Sequence, residues 1–537
     1  MVSSILHAAV AGILSHITYF HRGEHHLYGT TYLKLFIALN SLAVAYLHAS
    51  WGTAWTDAFA TVLLHATCYL AGVFGSVLAY RLVFSPLEFP GPWAARISSL
   101  WLPLQVRNGN RHLKLIELHD KYGPYVRIGP ADLSIIDPKA IDIIYGASSP
   151  CKKGSFYDHS YPNNSLQTSR DPIEHQQRRR LWSGAFGSKR LRGYEQRIRK
   201  YRRKLVDGLV KMNGQPVNAT KWFSLYSYDV MGDLAFGEGF ESMERGEHHW
   251  ATQMIIEVQD AVGLCLPVWL LRMVLAIPGV MTGWWKLLEY SEKRLLERIK
   301  NEPDVPDISA SLLAPLEGRA PPAEERLWLS GDCRLIIIAG SDTTTTTLTA
   351  IFYELARHPE EVEKLRAELA PYVESESLEF SDDKISHLGH LNGVINEALR
   401  LYPAVPSAME RVTPPEGLSV DGVFIPGNTT VFCPGYAIGR SELSYKKPLK
   451  FIPERWYQQP ELINDESAFA PFSTGAYNCI GRPLALQNLR TTVAQLVMTF
   501  DVRFAPGYEA EKFDERTKDN FVLGVGNLDL MFTPRKS

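Results

Sequence analysis

Ala58 to Tyr80 is a run of 23 residues without Asp, Glu, Lys or Arg. As a helix it would be about 34 Å long, enough to cross a bilayer, and no other segment restricts the chain's possible folds so sharply. Two weaker runs precede it. Thr31 to Ser50 is apolar apart from Lys34, and Ser3 to Phe20 is uncharged but less hydrophobic. Two or three spans are therefore expected within residues 1–80. With three, Arg22 and Lys34 flank one loop and Arg81 follows the last span, whereas the loop His48 to Asp57 has neither Lys nor Arg. Basic residues accumulate on the cytosolic side, which predicts a lumenal N-terminus and a main domain in the cytosol. A cleavable signal peptide would need a charged leading region and a small-residue cleavage site, and neither is evident.

Length alone, 537 residues, suggests about three domains. Hydrophobic residues at 45 % and charged residues at 21 % are globular proportions and argue against disorder. A net charge of −2 gives no general reason to expect a nucleic-acid partner. Cys68, Cys151, Cys265, Cys333, Cys433 and Cys479 are scattered, with no CxxC pair, so reduced thiols on the cytosolic side are the simpler inference. Sequons open at Asn163, Asn218 and Asn428, and a cytosolic domain would leave them bare. Phe89-Pro-Gly-Pro-Trp93 is a stiff, turn-rich hinge. The expected division is an anchor over 1–80, a hinge over 81–96 and a main domain over 97–537.

Residues 472–485 read Phe-Ser-Thr-Gly-Ala-Tyr-Asn-Cys-Ile-Gly-Arg-Pro-Leu-Ala. Gly475 permits a backbone conformation closed to residues with a Cβ, and Gly481 leaves room for something flat and large beside the chain. Pro483 suits the first turn of a helix, and Leu484, Leu486, Leu489, Val493, Leu496 and Val497 follow at roughly helical spacing. Free N–H groups and partial positive charge at a helix N-terminus favour a thiolate at Cys479, as an axial ligand to haem iron requires. A lone Cys among small residues is also commonly an inert buried hydrophobe, and the loop by itself leaves both readings open.

Leu335 to Leu355 reads as a long, mostly buried helix interrupted by Ala339-Gly340-Ser341-Asp342-Thr343-Thr344, which opens a run of five threonines, with Thr349 beyond. Gly and Thr are poor helix formers, so the segment is a candidate for a local bulge at a functional site; from this segment alone a Thr-rich helix packed closely on a neighbour is the favoured reading. Asn396-Glu-Ala-Leu-Arg-Leu-Tyr-Pro403 sets Glu397 and Arg400 on one helix face, with Phe451-Ile-Pro-Glu-Arg-Trp456 downstream. From Arg178 to Lys204 there are twelve Lys or Arg and a single acid, Glu195. Aromatics are sparse there, so a docking face for an acidic partner, with Arg202 and Arg203 in it, is preferred to a nucleic-acid or anionic-lipid patch. Val262 to Trp285 is apolar but cut by Pro267 and Pro278, which argue against a span; a segment dipping into the bilayer surface and a buried helix pair both fit.

Phe-x-x-Gly-x-x-x-Cys-x-Gly resembles the haem-ligand loop of the haem-thiolate monooxygenases, the cytochrome P-450 family. Ala-Gly-x-Asp-Thr-Thr is similar to that family's oxygen-activation signature and stands at the expected distance before the cysteine. The resemblance covers roughly residues 86–537, with the motifs in order. It implies a mainly α fold with a smaller β region, a haem-thiolate monooxygenase fold behind N-terminal transmembrane helices. It further implies haem b with Cys479 as axial ligand, in a loop shaped by Phe472, Gly475 and Gly481. Thr343 would hold water and dioxygen, and Asp342 would feed the protons that split the O–O bond. Glu397, Arg400 and Arg455 would form a buried structural set. His175 and Arg179, one helical turn apart, resemble the family's Trp-x-x-x-Arg with His for Trp, and with Arg411 would bind the haem propionates. Two departures stand out: Tyr477 where Arg or His is usual, and Gly439-Arg440-Ser441 in place of His-Arg-Asp.

By the same resemblance, one oxygen atom from O2 would enter a C–H bond or alkene of a lipophilic small molecule, with electrons from NADPH through a partner flavoprotein reductase. Multi-span anchors and this loop wording look like filamentous-fungal members of secondary-metabolite biosynthesis, placed in the endoplasmic reticulum membrane and facing the cytosol. Pocket segments are expected near Phe156–Gln167, Ile336–Ile338, Val405–Ala408 and Phe521–Val525. The rival readings are a haem-thiolate isomerase or dehydratase that does not use O2, and a non-enzymatic haem-binding membrane protein.

Overall fold

The apolar runs near the N-terminus become three helices: α1 (Val2–Ser15, prolonged by a π-helical turn His16–Phe20), α2 (Gly29–Trp51) and α3 (Trp55–Ala79, prolonged by Tyr80–Phe84). The computed structural model describes residues 2–535 apart from 281, 302, 374–377 and 408. All three helices are long and apolar enough to cross a membrane, and they are compatible with membrane anchoring. α2 buries none of its residues in the protein, which suits a helix whose apolar surface meets lipid. α1 and α3 approach backbone to backbone. A Cβ on Gly12 would lie 2.1 Å from the Tyr69 carbonyl oxygen, and one on Gly72 would lie 2.1 Å from that of Ala9. Small residues permit such close packing where lipid removes the hydrophobic drive between helices.

The chain divides into two compact units, the first comprising Met1–Leu104, Arg127–Leu133 and Leu266–Met281. The helix Val268–Leu275, started by Pro267, packs on α2. The hinge is tied down by Arg127, which is fully buried. Its guanidinium donates to the Leu87, Gly129 and Pro130 carbonyls and to Ser85 Oγ. Its backbone leaves no space for a side chain at position 91, since a Cβ there would lie 2.3 Å from the Arg127 carbonyl oxygen.

The second unit comprises Gln105–Val126, Ser134–Cys265 and Thr282–Ser537, and is mainly helical with small sheets. The elements used below are α4 (Pro172–Ser183), α5 (Ser188–Met212), α6 (Ala219–Phe236), α7 (Ala323–Arg357), α8 (Gly389–Leu401) and α9 (Arg482–Thr499), with strands β1 (Lys152–Lys153), β2 (Arg411–Val412) and β3 (Thr430–Phe432). β2 pairs antiparallel with both β1 and β3, and Lys153 is the direct partner of Arg411. α7 is long and apolar enough for a span, yet 67 % of its apolar window is buried, which makes it a core helix. The described cysteines are all free.

α7 carries no bulge. It is α-helical from Ala323 to Arg357, and its threonines fit by bonding backward: Thr343, Thr344, Thr345, Thr347 and Thr349 each donate to the carbonyl four residues earlier. Gly340 is there for packing, because a Cβ would fall 2.4 Å from Met231 Cε on α6.

The basic run is less of an outward face than expected. Arg202 is fully buried and donates to Gln495, and Arg203 pairs with Glu379. Arg178, Arg197 and Lys204 pair with Asp332, Asp233 and Glu244. α5 is amphipathic, so only part of its charge can face water; Lys189, Arg192, Lys200 and Arg203 do, as does Arg180 on the preceding helix.

Candidate functional site

Three local features build the cysteine loop. Gly475 has φ +64°, and a Cβ on it would lie 2.4 Å from the Tyr145 carbonyl oxygen. The Phe472 carbonyl accepts the Cys479 N–H at 2.8 Å, closing the loop on itself. Gly481 then caps α9, with Pro483 in its first turn. The loop therefore presents the thiol at the start of a helix, with its sulfur open to solvent on one side although it sits deep among the surrounding protein atoms. Beside it, a Cβ on Gly481 would meet nothing nearer than Cys479 Sγ at 3.8 Å and Phe186 at 4.0 Å, so this flank accepts a flat group. Burial pushes the Cys479 thiol up, opposed by the N–H groups of Gly481 and Arg482 and by the Arg179 and Arg482 charges. The helix terminus alone does not make a thiolate here; a bound cation would.

α4 carries His175 and Arg179 and is pinned to α7, for Arg178 and the Trp182 indole both donate to Asp332 Oδ2. Arg179 donates to the Asn478 carbonyl at 2.8 Å and to its side-chain oxygen, so it grips the loop next to the cysteine. His175 is buried, with its ring edge-on to Tyr477 at 4.6 Å. Burial, with Lys153, Arg179 and Arg411 nearby, lowers its imidazole to about 3, so it is neutral. Arg411 donates to the Tyr157 hydroxyl at 2.8 Å and to the Glu410 carbonyl, and it lies over the Tyr477 ring at 4.9 Å. Its Nε and Nη2 are buried without a partner. Lys153, which sequence reasoning missed, and Tyr157, within the expected pocket segment Phe156–Gln167, complete this cluster.

Asp342 and Thr343 stand on α7 where that buried helix opens. Ala339 is exposed although Ile336, Ile337, Ser341 and Thr344 are buried. The Thr343 hydroxyl donates to the Ala339 carbonyl at 2.6 Å, so its lone pairs remain available as acceptors. Asp342 accepts from the Tyr228 hydroxyl and from the Gln259 amide. Burial raises its carboxyl to about 6, against the pull of those two donors. Tyr228 and Gln259 come from separate helices, and no motif marks them.

Glu397 is the centre of a buried knot. Arg400 makes a bidentate pair with it at 2.8 Å on both arms. Arg455 donates to Oε1 at 3.3 Å, Trp456 Nε1 to Oε2 at 2.9 Å and the Ile452 N–H to Oε1 at 3.0 Å. Gly439 belongs to this knot, because a Cβ there would lie 2.3 Å from the Arg400 carbonyl oxygen. Of the expected pocket segments, Phe156 and Phe521 stack at 5.3 Å, and Leu523 bonds the Ala404 carbonyl and Thr346. Ala408 lies outside the described residues.

These residues fit a haem. The group needs one soft donor for iron and cations for two carboxylates. A thiol flanked by open glycine is present, and two buried, unpartnered nitrogens of Arg411 are aimed among cations that no carboxylate among the described residues neutralises.

The cytochrome P450 family model matches residues 90–532. The chain is 47 % identical over 527 residues to cytochrome P450 monooxygenase notG' of Aspergillus versicolor, covering 98 % of this chain and 97 % of that protein. It is 47 % identical over 535 residues to tryprostatin B 6-hydroxylase of Aspergillus fumigatus, covering 98 % and 96 %. With cytochrome P450 monooxygenase sthD of Phaeosphaeria nodorum the identity is 42 % over 475 residues, covering 87 % and 99 %.

Proposed function

The chain belongs to the cytochrome P450 family and is a haem-thiolate monooxygenase similar to fungal secondary-metabolism enzymes, and from that premise we propose how its residues divide the work. The observation that carries the reading is the presence in one compact unit of the Cys479 loop, the unneutralised cations beside it and the Asp342–Thr343 pair. Neither an isomerase nor a passive haem carrier fits relatives named monooxygenases and hydroxylases.

Cys479 Sγ is the iron ligand, with Phe472, Gly475 and Gly481 shaping its loop. Arg411, His175 and Arg179 hold the propionates, His175 as a neutral donor. When bound, the haem supplies a redox-active iron that makes one atom of O2 transferable to carbon. Thr343 Oγ, its own hydrogen given to the Ala339 carbonyl, accepts a hydrogen bond from a water on the open side of α7. Asp342, with a carboxyl near 6, takes a proton and gives it up in the neutral range, the property a relay needs. Glu397, Arg400 and Arg455 keep the loop's surroundings fixed and touch no reactant.

The substrate is a lipophilic small molecule such as a terpenoid, polyketide or alkaloid, because Phe156, Phe521 and Ile336–Ile338 supply mainly apolar surface. Electrons come from NADPH through a flavoprotein reductase. The chain is organised as an anchor (1–80), a hinge (81–96) and a catalytic domain (97–537), in the endoplasmic reticulum with the catalytic domain in the cytosol.

The deciding experiment is the carbon-monoxide difference spectrum of the dithionite-reduced protein in microsomes. A strongly red-shifted Soret band is expected, lost in Cys479→Ala. Folded wild-type protein with no haem signal would overturn the reading.

A further inference from the structure

We propose that Lys153 is a counter-charge for the haem carboxylates, supplied from β1 in place of the cation that position 477 lacks, with the Tyr477 ring holding it beside Arg411. This rests on the haem-binding function proposed above.

Lys153 and Arg411 are direct partners across an antiparallel pair, so their side chains leave the sheet on one face. Both are buried, at 4 % and 1 % exposure. Like charges directly opposite each other destabilise a sheet, and buried charge needs a partner. Yet no carboxylate among the described residues pairs with either. What surrounds them is aromatic: Lys153 Nζ lies 4.8 Å from the Tyr477 ring centre and 5.0 Å from that of Tyr157, while the Arg411 guanidinium lies 4.9 Å from the Tyr477 ring centre. One phenol ring thus serves two cations through its π face. An arginine or histidine at 477 would crowd a third charge between them; a tyrosine does not.

Lys153 donates to the carbonyls of Leu166, Gln167 and Ser169 at 3.3, 2.7 and 2.8 Å. Its three hydrogens are therefore engaged, and its effect on a carboxylate is that of a nearby, poorly screened charge. In the protein alone that charge is disfavoured, since burial and the Arg411 and Arg179 charges bring the ammonium down to about 6. A dianion at this edge removes the disfavour. Arg411 supplies the hydrogen bonds and Lys153 the additional charge.

The test measures haem transfer from the holoenzyme to an excess of apo-globin. Lys153→Met should release haem roughly tenfold faster or more, the scale of one charge-assisted contact. Lys153→Arg should stay near wild type, and Lys153→Met combined with Tyr477→Arg should recover much of the loss. Lys153→Gln keeps donors for the carbonyls while removing the charge, and it carries the comparison if the Met variant does not fold. The control is haem dimethyl ester, whose carboxylates are neutral: with it, the charge-deleted variant and wild type should release at similar rates. Equal release of native haem would overturn the proposal. So would a difference that persists with the ester, because Lys153 would then only tie the 166–169 carbonyls. Wild-type protein that binds no haem would instead sink the proposed function itself.

Discussion

Tyr228 donates its hydroxyl hydrogen to Oδ1 of Asp342 over 2.9 Å, and with Gln259 on Oδ2 it restrains a carboxyl that burial has raised to about 6. A donor to a carboxylate favours the charged form. Removing it in Tyr228→Phe should raise the Asp342 pKa further, by up to roughly one unit if the bond is worth a typical 1 kcal/mol. If Asp342 supplies protons, the alkaline limb of product formation per NADPH should move to higher pH in that variant. A limb that stays where it was would take Asp342 out of the proton path.

The same shift fixes the sign of a stability effect. The Asp342 carboxyl titrates higher in the folded than in the unfolded protein, so its contribution is fully present below the unfolded value near 4. It is lost as pH rises through about 6. At most about 3 kcal/mol is involved. Asp342→Asn should flatten the loss of stability across that window, measured by thermal unfolding of the holoenzyme. A wild-type stability that rises between pH 4 and 6 in a way this variant abolishes would contradict the assignment.

Thr343→Ala deletes the hydroxyl on the open side of α7 and the bond to Ala339. Haem content and the carbon-monoxide spectrum should be retained. Product per NADPH should fall, on the order of 10²-fold for a lost relay group, with the missing equivalents recovered as hydrogen peroxide. Fully coupled turnover would remove Thr343 from the mechanism.

Glu397→Gln would leave Arg400 and Arg455, both buried, without their counter-ion. Breaking a buried ionic set from one side costs about 3–5 kcal/mol, so little holoprotein should accumulate. A variant with wild-type unfolding temperature would show that the backbone carbonyls around both arginines suffice.

What could be read from the sequence is what lies close together in it. The Cys479 loop and the Glu397–Arg400 pair are short-range patterns, and the three N-terminal helices are apolar runs broken by few charges. What could not be read depends on long-range pairing. Lys153 gains its meaning from Arg411, its partner across a two-residue strand, and Tyr228 and Gln259 reach Asp342 from helices with no motif. In two places the structure departs from a reading that the sequence allowed, for identifiable reasons. The threonine run suggested a bulge because Thr disfavours helix, but hydroxyls bonded to the preceding turn and Gly340 against Met231 let α7 continue. The basic run suggested an outward face, but α5 turns Arg202 inward to Gln495.

The three sequons offer a test of membrane orientation that the fold makes interpretable. Asn218 has a structural job: its Oδ1 accepts the Lys221 N–H at 2.9 Å and caps α6. Asn218→Asp removes the sequon and keeps the acceptor. With the catalytic domain in the cytosol, that variant and wild type should migrate identically with or without endoglycosidase, and should unfold at similar temperatures. Asn218→Ala should lose about 1 kcal/mol, the typical value of such a cap. A glycan-acceptor extension ahead of residue 1 should by contrast be glycosylated, because three spans put that end in the lumen. Endoglycosidase-sensitive mobility of the wild type that disappears in Asn218→Asp would place the catalytic domain in the lumen and reverse the orientation.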